Sequence, residues 1–304
     1  MSLRGRFAPS PTGRIHLGNA RSALLGWLQA RAAGGRFLLR IEDLDRARCR
    51  PAFLEDLYRD LEWLGLDWDE PPLFQSQREP VYREVLERLE RAGRVYACFC
   101  TRAEISRAAS APHGPSDEGP RYPGTCAALT PEERAERART RVPALRFRVA
   151  PGEGCFEDGL HGRCCQDVAQ VVGDFVVRRN DGVASYQLAV VVDDAASGIT
   201  DVLRGEDLLS STPRQLQLYE ALGARPPRFW HVPLVLGEDG KRLAKREGAF
   251  AVAELRERGI PVERVLGLLA AWSGLGDGTP VTREALVQRF RPELLPREIG
   301  RAHV

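Results

Sequence analysis

Between Arg6 and Arg21 the chain reads RFAPSPTGRIHLGNAR, and this order of a strand ending in prolines, a glycine-bearing turn and a helix start constrains the fold more than any other stretch. Proline cannot donate inside a sheet and biases the residue before it away from helix, so Pro9 and Pro11 end the strand near Ser10. Thr12-Gly13 supplies the turn. Ala20, Leu24, Leu25 and Leu28 then recur at helical spacing, with Asn19 as the expected cap. Free backbone N–H groups and the helix dipole point at the same spot in such a junction and attract an anion, and His16 and Gly18 stand on the turn. Taken alone the junction identifies no family, because a first βα turn of this kind opens many α/β domains.

The rest of the chain fits half a Rossmann sheet followed by its other half. Arg36–Ile41 reads as a buried strand delivering Glu42, Asp43 and Asp45 at its carboxyl end, where open parallel sheets bind ligands. Without other information those acids fit the start of a solvated loop equally well. Helix-spaced apolar residues follow over Phe53–Leu64 and Val81–Leu89. From Val95 the composition changes: VYACFC precedes an Ala-, Ser-, Pro- and Gly-rich stretch from Ala108 to Gly124, expected as a loop. Thr130 then caps a charged helix with Pro131 in its first position, and Ala144–Val149 returns to strand.

Beyond it, Phe175–Arg179, the turn Asn180-Asp181-Gly182 and Val183–Val192 predict a hairpin, with Val190–Val192 as a buried strand ending in Asp193 and Asp194. Strands are predicted at Ile199–Leu203 and Val232–Leu236, and helices from Thr212 to Leu222, Ala253 to Arg258, Val262 to Ser273 and Arg283 to Phe290. The expected division is 1–94 for the first half of the sheet, 95–165 for an insertion, 166–236 for the second half, and 237–304 for a loop and helices.

A length of 304 residues accommodates two domains or one domain with a large insertion. No run of 18 apolar residues exists, and the MSLRGRF start lacks a signal segment, so the expected compartment is the cytosol. A net charge of +2 argues against nonspecific coating of nucleic acid. Lysine occurs only at Lys241 and Lys245, four residues apart in one loop. Seven cysteines, clustered as Cys98-Phe-Cys100 and Cys164-Cys165, do not look like a secreted disulfide framework; a metal site or reduced thiols fit better, with Cys49, Cys155, Cys164 and Cys165 structural.

The extended string P-S-P-T-G-x-x-H-x-G-x-x-R resembles the first signature of class I aminoacyl-tRNA synthetases in their glutamyl form, and Arg242-Leu-Ala-Lys245-Arg resembles the second. Arg242 and Ala244 depart from the usual lysine and serine of that second signature. The resemblance implies a Rossmann-type α/β catalytic domain with a zinc-bearing insertion and a C-terminal helical segment, and no anticodon-binding domain before the chain ends at Val304. It also implies binding of ATP with magnesium through His16, Gly18 and Lys245, with His16 and Lys245 catalytic. Arg6, Phe7, Ala8, Pro9, Ser10, Glu42, Tyr186 and Arg204 are the implied L-glutamate site, with Glu42 on the ammonium and Arg204 on the side-chain carboxylate.

Cys98-x-Cys100 with Tyr122-x-x-x-Cys126 resembles the zinc site of the same family, the tyrosine being a fourth ligand for which His113 is an alternative. Val190, where glutamyl-tRNA synthetases usually carry asparagine, and the ending at Val304 resemble the branch that esterifies glutamate to queuosine in the tRNA(Asp) anticodon. That branch implies glutamyl-adenylate as intermediate, queuosine-containing tRNA(Asp) as partner with its phosphates on arginines of the insertion and C-terminal helices, and a monomer. A short glutamyl-tRNA synthetase charging tRNA(Glu) and a noncatalytic tRNA-binding paralogue stand as alternatives.

Overall fold

The computed structural model describes residues 2–108, 120–235 and 251–297. The first half runs β1 (Arg4–Phe7), α1 (Leu17–Ala32), β2 (Arg36–Ile41), α2 (Pro51–Leu64), β3 (Leu73–Phe74) and α3 (Glu79–Arg91). β1, β2 and β3 pair in parallel, with Arg4 opposite Arg36 and Arg40 opposite Leu73. β4 (Val95–Cys98) opens the middle of the chain, followed by α4 (Arg102–Ala108), α5 (Pro131–Ala138), β5 (Ala144–Phe147), β6 (Gly154–Asp158), β7 (Gly162–Gln166) and α6 (Val168–Val171). β8 (Phe175–Arg178), α7 (Tyr186–Ala196), β9 (Asp201–Gly205), α8 (Thr212–Ala221) and β10 (Arg228–Val232) complete the sheets, and α9 (Val252–Glu257), α10 (Val262–Ala271) and α11 (Arg283–Arg289) end the described chain.

A second sheet has the order β7-β6-β10-β9 and a third, antiparallel one the order β4-β5-β8. Thr200 joins the first two sheets edge to edge: its N–H donates to Arg4 O (3.0 Å), and its hydroxyl accepts from Arg4 N–H (2.8 Å). The hairpin of β6 and β7 lies within the 95–165 span, and β6 is hydrogen-bonded to β10 of the second sheet with Phe229 opposite Asp158.

α1 sits between sheet and outer helices. Its Ala20, Leu24, Leu25 and Leu28 are fully buried, packing with β2, α2 and α10 in one core, while α3, α7, α8 and β5 share a second. Burial on nearly every face is what keeps a helix of this composition in place. Among the described residues no helix is long and apolar enough to cross a membrane.

Several local expectations are corrected. The cap of α1 is His16, whose Nδ1 accepts from the Asn19 N–H at 3.3 Å; Asn19 lies inside the helix. Val183–Val192 is not a strand. The turn forms, with Gly182 at φ +88 and a single bridge between Arg178 and Ala184, but Ser185 then caps α7 by accepting from the Leu188 N–H. Because Leu188 to Val192 of α7 are all buried, their sequence shows no helical period, and the β-branched run reads as strand. β1 stops at Phe7, three residues before Ser10. β9 lies two residues later than expected, and β10 ends at Val232 instead of running from it. Pro233 has no N–H to extend that ladder. Cys155 and Cys165 are joined by a disulfide, because the β6–β7 register sets them opposite each other with Cα atoms 4.1 Å apart; Cys164 points to the other face and is free.

Candidate active site and metal centre

β1, α1, β2, α7 and β9 end around one cavity of about 450 Å³. Arg6, Phe7, Ala8, Pro9 and Ser10 line one wall, His16 and Gly18 a second, and Glu42, Tyr186 and Arg204 a third. The Glu42 N–H donates to Pro9 O (2.9 Å), so the end of β2 is fastened to the extended segment after β1. A Cβ on Gly18 would lie 3.1 Å from the His16 ring, so a larger residue would press that imidazole aside by a few tenths of an ångström. Because His16 Nδ1 accepts from Asn19 N–H, the neutral ring carries its proton on Nε2.

Four buried charges form a chain under the floor. Asp194 of α7 accepts from Arg6 Nε and Nη2 (3.2 and 3.3 Å) and from Arg40 Nη1 (2.5 Å), and Arg40 Nη2 donates to Glu42 (3.1 Å). Burial opposes ionisation of Asp194, yet Arg40 and Arg6 hold its pKa below the usual carboxylate range. At Glu42 burial wins: the carboxyl is pushed up despite Arg40 and Arg6. An ammonium placed beside Glu42 would favour its charged form.

Arg204 is a different case. It is 5% exposed and its Nε donates to His231 Nε2 (3.0 Å), while Nη2 donates to Thr212 Oγ1 and Gln215 Oε1 (both 2.9 Å) and to Leu208 O (3.4 Å). Nη1 has no hydrogen-bond partner among the described residues. Burial lowers the pKa of this guanidinium, yet arginine stays charged, so a cation is held where its acceptors carry no charge. A carboxylate is the partner that such a group lacks.

Some 20 residues of chain separate the two halves of a sulfur cluster. Cys98, at the end of β4, lies 3.4 Å from Tyr122 Oη; Cys100 Sγ lies 3.9 Å from that oxygen and 3.5 Å from Cys126 Sγ. The three sulfurs all fall within 4.8 Å of one another. Tetrahedral zinc with Zn–S near 2.3 Å sets sulfurs about 3.8 Å apart, so the donor set fits such an ion with little movement. Burial pushes the Cys100 thiol up to about 12. Arg146 donates from Nε to Cys98 Sγ (3.2 Å) and stacks over the Tyr122 ring at 3.7 Å, and Arg137 reaches Cys126 at 3.9 Å. Three thiolates on a divalent cation leave one negative charge, which these two arginines offset. The cluster can bind a metal ion.

The family described as tRNA synthetases class I (E and Q), catalytic domain, matches residues 2–294. The chain belongs to that family. A relative from Symbiobacterium thermophilum named glutamyl-Q tRNA(Asp) synthetase is 55% identical over 97% of this chain and 94% of its own length. One of the same name from Nitratidesulfovibrio vulgaris is 51% identical over 90% and 87%. Among solved structures, a glutamate tRNA ligase from Elizabethkingia meningosepticum in complex with its amino acid superposes with a TM-score of 0.86 at 28% identity, covering 99% of this chain and 67% of that one.

In this class I synthetase domain the cavity gathers every described residue that the two-site reading named: Arg6 to Ser10, His16, Gly18, Glu42, Tyr186 and Arg204. Lys245, with Arg242 and Ala244 of the second signature, lies outside the described residues, as does His113. Cys98, Cys100, Tyr122 and Cys126 converge, and the long spacer does not keep Tyr122 away. Val190 is buried in α7 and does not line the cavity. Sequence reasoning missed Arg40, Asp194, His231, Thr212 and Gln215 around the cavity, and Arg146 at the sulfurs. Asp194 carried a signal, an acid after an apolar run, but the wrong element was assigned to it.

Proposed function

We propose that this chain is a ligase that activates L-glutamate with ATP and magnesium and passes the glutamyl group to queuosine in the anticodon of tRNA(Asp). In the first step a glutamate α-carboxylate oxygen bonds to the α-phosphorus as the bond to pyrophosphate breaks, giving glutamyl-adenylate. In the second, a hydroxyl of the queuosine cyclopentenediol bonds to the acyl carbon, AMP leaves and the hydroxyl proton is lost. Arg204 takes the side-chain carboxylate, Glu42 the ammonium, and Arg6 with the Phe7–Ser10 segment lines the glutamate pocket. His16 and Gly18 receive ATP. Lys245 stabilises charge that builds on departing pyrophosphate, the point in the reaction where a mobile cation is worth most.

Zinc held by Cys98, Cys100, Tyr122 and Cys126 is structural in this reading and supplies no chemistry to the transfer. Arginines of the insertion and the C-terminal helices contact tRNA phosphates, and the compartment is the cytosol, where tRNA and ATP are found.

The observation that carries the reading is Arg204, a buried cation with only uncharged acceptors among the described residues, in one cavity with the His16–Gly18 turn. The names of the relatives direct the acceptor to tRNA(Asp). Glutamate-dependent ATP–pyrophosphate exchange without tRNA, followed by glutamylation of queuosine-containing tRNA(Asp) and of tRNA(Glu), tests it. Exchange with labelling of tRNA(Asp) alone is expected. Stable charging of tRNA(Glu) alone would sink the acceptor assignment, and absence of exchange would point to a noncatalytic paralogue.

A further inference from the structure

Behind Arg204 lies a buried pair that no part of the reaction above uses. His231 on β10 is 0% exposed and Asp158, at the end of β6, is 4% exposed. His231 Nδ1 and Asp158 Oδ2 are 2.6 Å apart, and the same carboxylate accepts from the backbone N–H groups of His231, Leu160 and His161. On its other side the His231 ring meets Arg204 Nε at 3.0 Å and Thr212 Oγ1 at 3.2 Å. A guanidinium N–H can only donate, so His231 Nε2 must be a bare acceptor, and the ring proton must sit on Nδ1 facing Asp158. Every group around Asp158 is a donor, so the carboxylate stays ionised and holds that tautomer.

We propose that Asp158 and His231 are positioning residues for glutamate selection. Asp158 fixes the Nδ1–H tautomer of His231, and the bare Nε2 fixes the plane of Arg204 through Nε–H without neutralising it. This rests on the assignment of Arg204 to the glutamate side chain. A carboxylate in the place of His231 would orient the guanidinium equally well but would cancel its charge, and the cavity would then discriminate poorly between glutamate and glutamine. The remaining acceptors are uncharged for the same effect. Gln215 presents its oxygen to Arg204 because its amide N–H₂ is taken by Gln187 Oε1, and Gln187 in turn donates to Ser211. Asp158 is therefore kept one ring away from the cation it orients.

Three substitutions separate this role from mere packing. Asp158→Asn offers an N–H₂ where an acceptor is needed, which drives the His231 proton to Nε2 and sets two donors against each other at Arg204. His231→Leu removes the acceptor. His231→Gln keeps both halves, since its oxygen can accept from Arg204 while its N–H₂ donates to Asp158. In glutamate-dependent ATP–pyrophosphate exchange, Asp158→Asn and His231→Leu are expected to raise the KM for glutamate by about tenfold or more and to narrow the preference over glutamine, with the KM for ATP within about twofold. His231→Gln is expected to stay within about threefold of the parent on all three. Imidazole ¹⁵N spectra of the intact protein should show His231 protonated at Nδ1 and bare at Nε2.

A proton on Nε2 in the parent protein overturns the proposal, as does an unchanged glutamate KM in His231→Leu or a His231→Gln as impaired as His231→Leu. If Asp158→Asn fails to fold, the two His231 variants and the parent spectrum still decide. A parent protein without exchange would count against the catalytic reading instead, and the spectrum would then judge the tautomer by itself.

Discussion

In the proposed function, Arg204 carries the choice between a carboxylate and an amide in a single side chain. Among the described residues its acceptors are His231 Nε2, Thr212 Oγ1, Gln215 Oε1 and Leu208 O, all uncharged, and on the proposed reading the substrate supplies the anion. Arg204→Gln removes the cation while keeping hydrogen-bonding capacity. We expect glutamate-dependent exchange to fall by about 100-fold or more in kcat/KM, corresponding to a loss of roughly 3 kcal/mol typical of a charge-assisted pair, with the KM for ATP little changed. Arg6 looks equivalent in sequence but is already paired with Asp194, so its guanidinium shapes the pocket and is less available to a ligand. Glu42, Tyr186 and Arg204 were singled out because each matches a position of a known pattern, and the fold gathers them in one cavity. His231 and Asp158 match none, and they lie 73 residues apart, with Arg204 27 residues from His231. Only sheet order brings the three together.

Helix α7 shows what an element contributes beyond its own residues. Asp193 accepts from Arg78 Nε (2.6 Å), Tyr82 Oη (2.7 Å) and Gln75 Nε2 (2.9 Å), and Asp194 ties Arg6 to Arg40, so two adjacent acids bind β1, β2 and α3 to one helix. Asp194→Ala leaves two guanidinium groups facing each other in a buried site. It should destabilise the fold by about 3–5 kcal/mol in denaturant titration, far above the cost of an exposed ion pair. This helix was misread as a strand because burial on all sides erased its period, whereas α2, with Leu57, Leu61 and Leu64 buried on one stripe, was read almost to the residue.

The sulfur centre is likewise held by a neighbouring element. Gly173, at φ +71, packs so closely that an added Cβ would lie 2.4 Å from Tyr122 O, and the Tyr122 N–H donates to Val172 O (3.0 Å). Protein purified without chelator should contain about one zinc per chain, lost in Cys98→Ser/Cys100→Ser. Gly173→Ala should displace Tyr122 and weaken zinc retention against a competing chelator by about tenfold.

For the molecule as a whole, two buried groups titrate against each other. His231 is pushed down to about 4, mainly by burial with Arg204 and His161 adding to it and Asp158 opposing. Its contribution is complete above the unfolded value near 6.5 and is lost as pH falls towards 4. Asp60, buried on α2 beside Arg256, is pushed up to about 6 by burial, so its contribution is complete below about 4 and is lost as pH rises through 6. Over pH 4–6 the two contributions therefore have opposite slopes. In His231→Gln the His231 slope is absent, so unfolding midpoints should rise relative to those of the parent as pH is lowered from 6 to 4; a parallel pH profile in the two proteins would contradict this opposition.

Architecture at this scale was largely readable, since alternating strands and helices around a proline-ended first strand admit few arrangements. What was not readable was the joint between sheets, because Thr200 makes it with one backbone N–H and one hydroxyl, and the β6–β7 hairpin, whose short polar strands have no apolar alternation.

The described chain on either side of residues 236–250 is fastened to α1 and to the turn before it. Arg21 of α1 donates from Nη1 to Pro233 O at 2.7 Å on the upstream side. Downstream, Ala251 forms a bridge with His16, and Val252 N–H donates to Ile15 O at 2.9 Å. α1 and the turn before it are thus clamped by segments more than 200 residues away in sequence, so the junction that carries His16 and Gly18 is held in place by the far end of the chain.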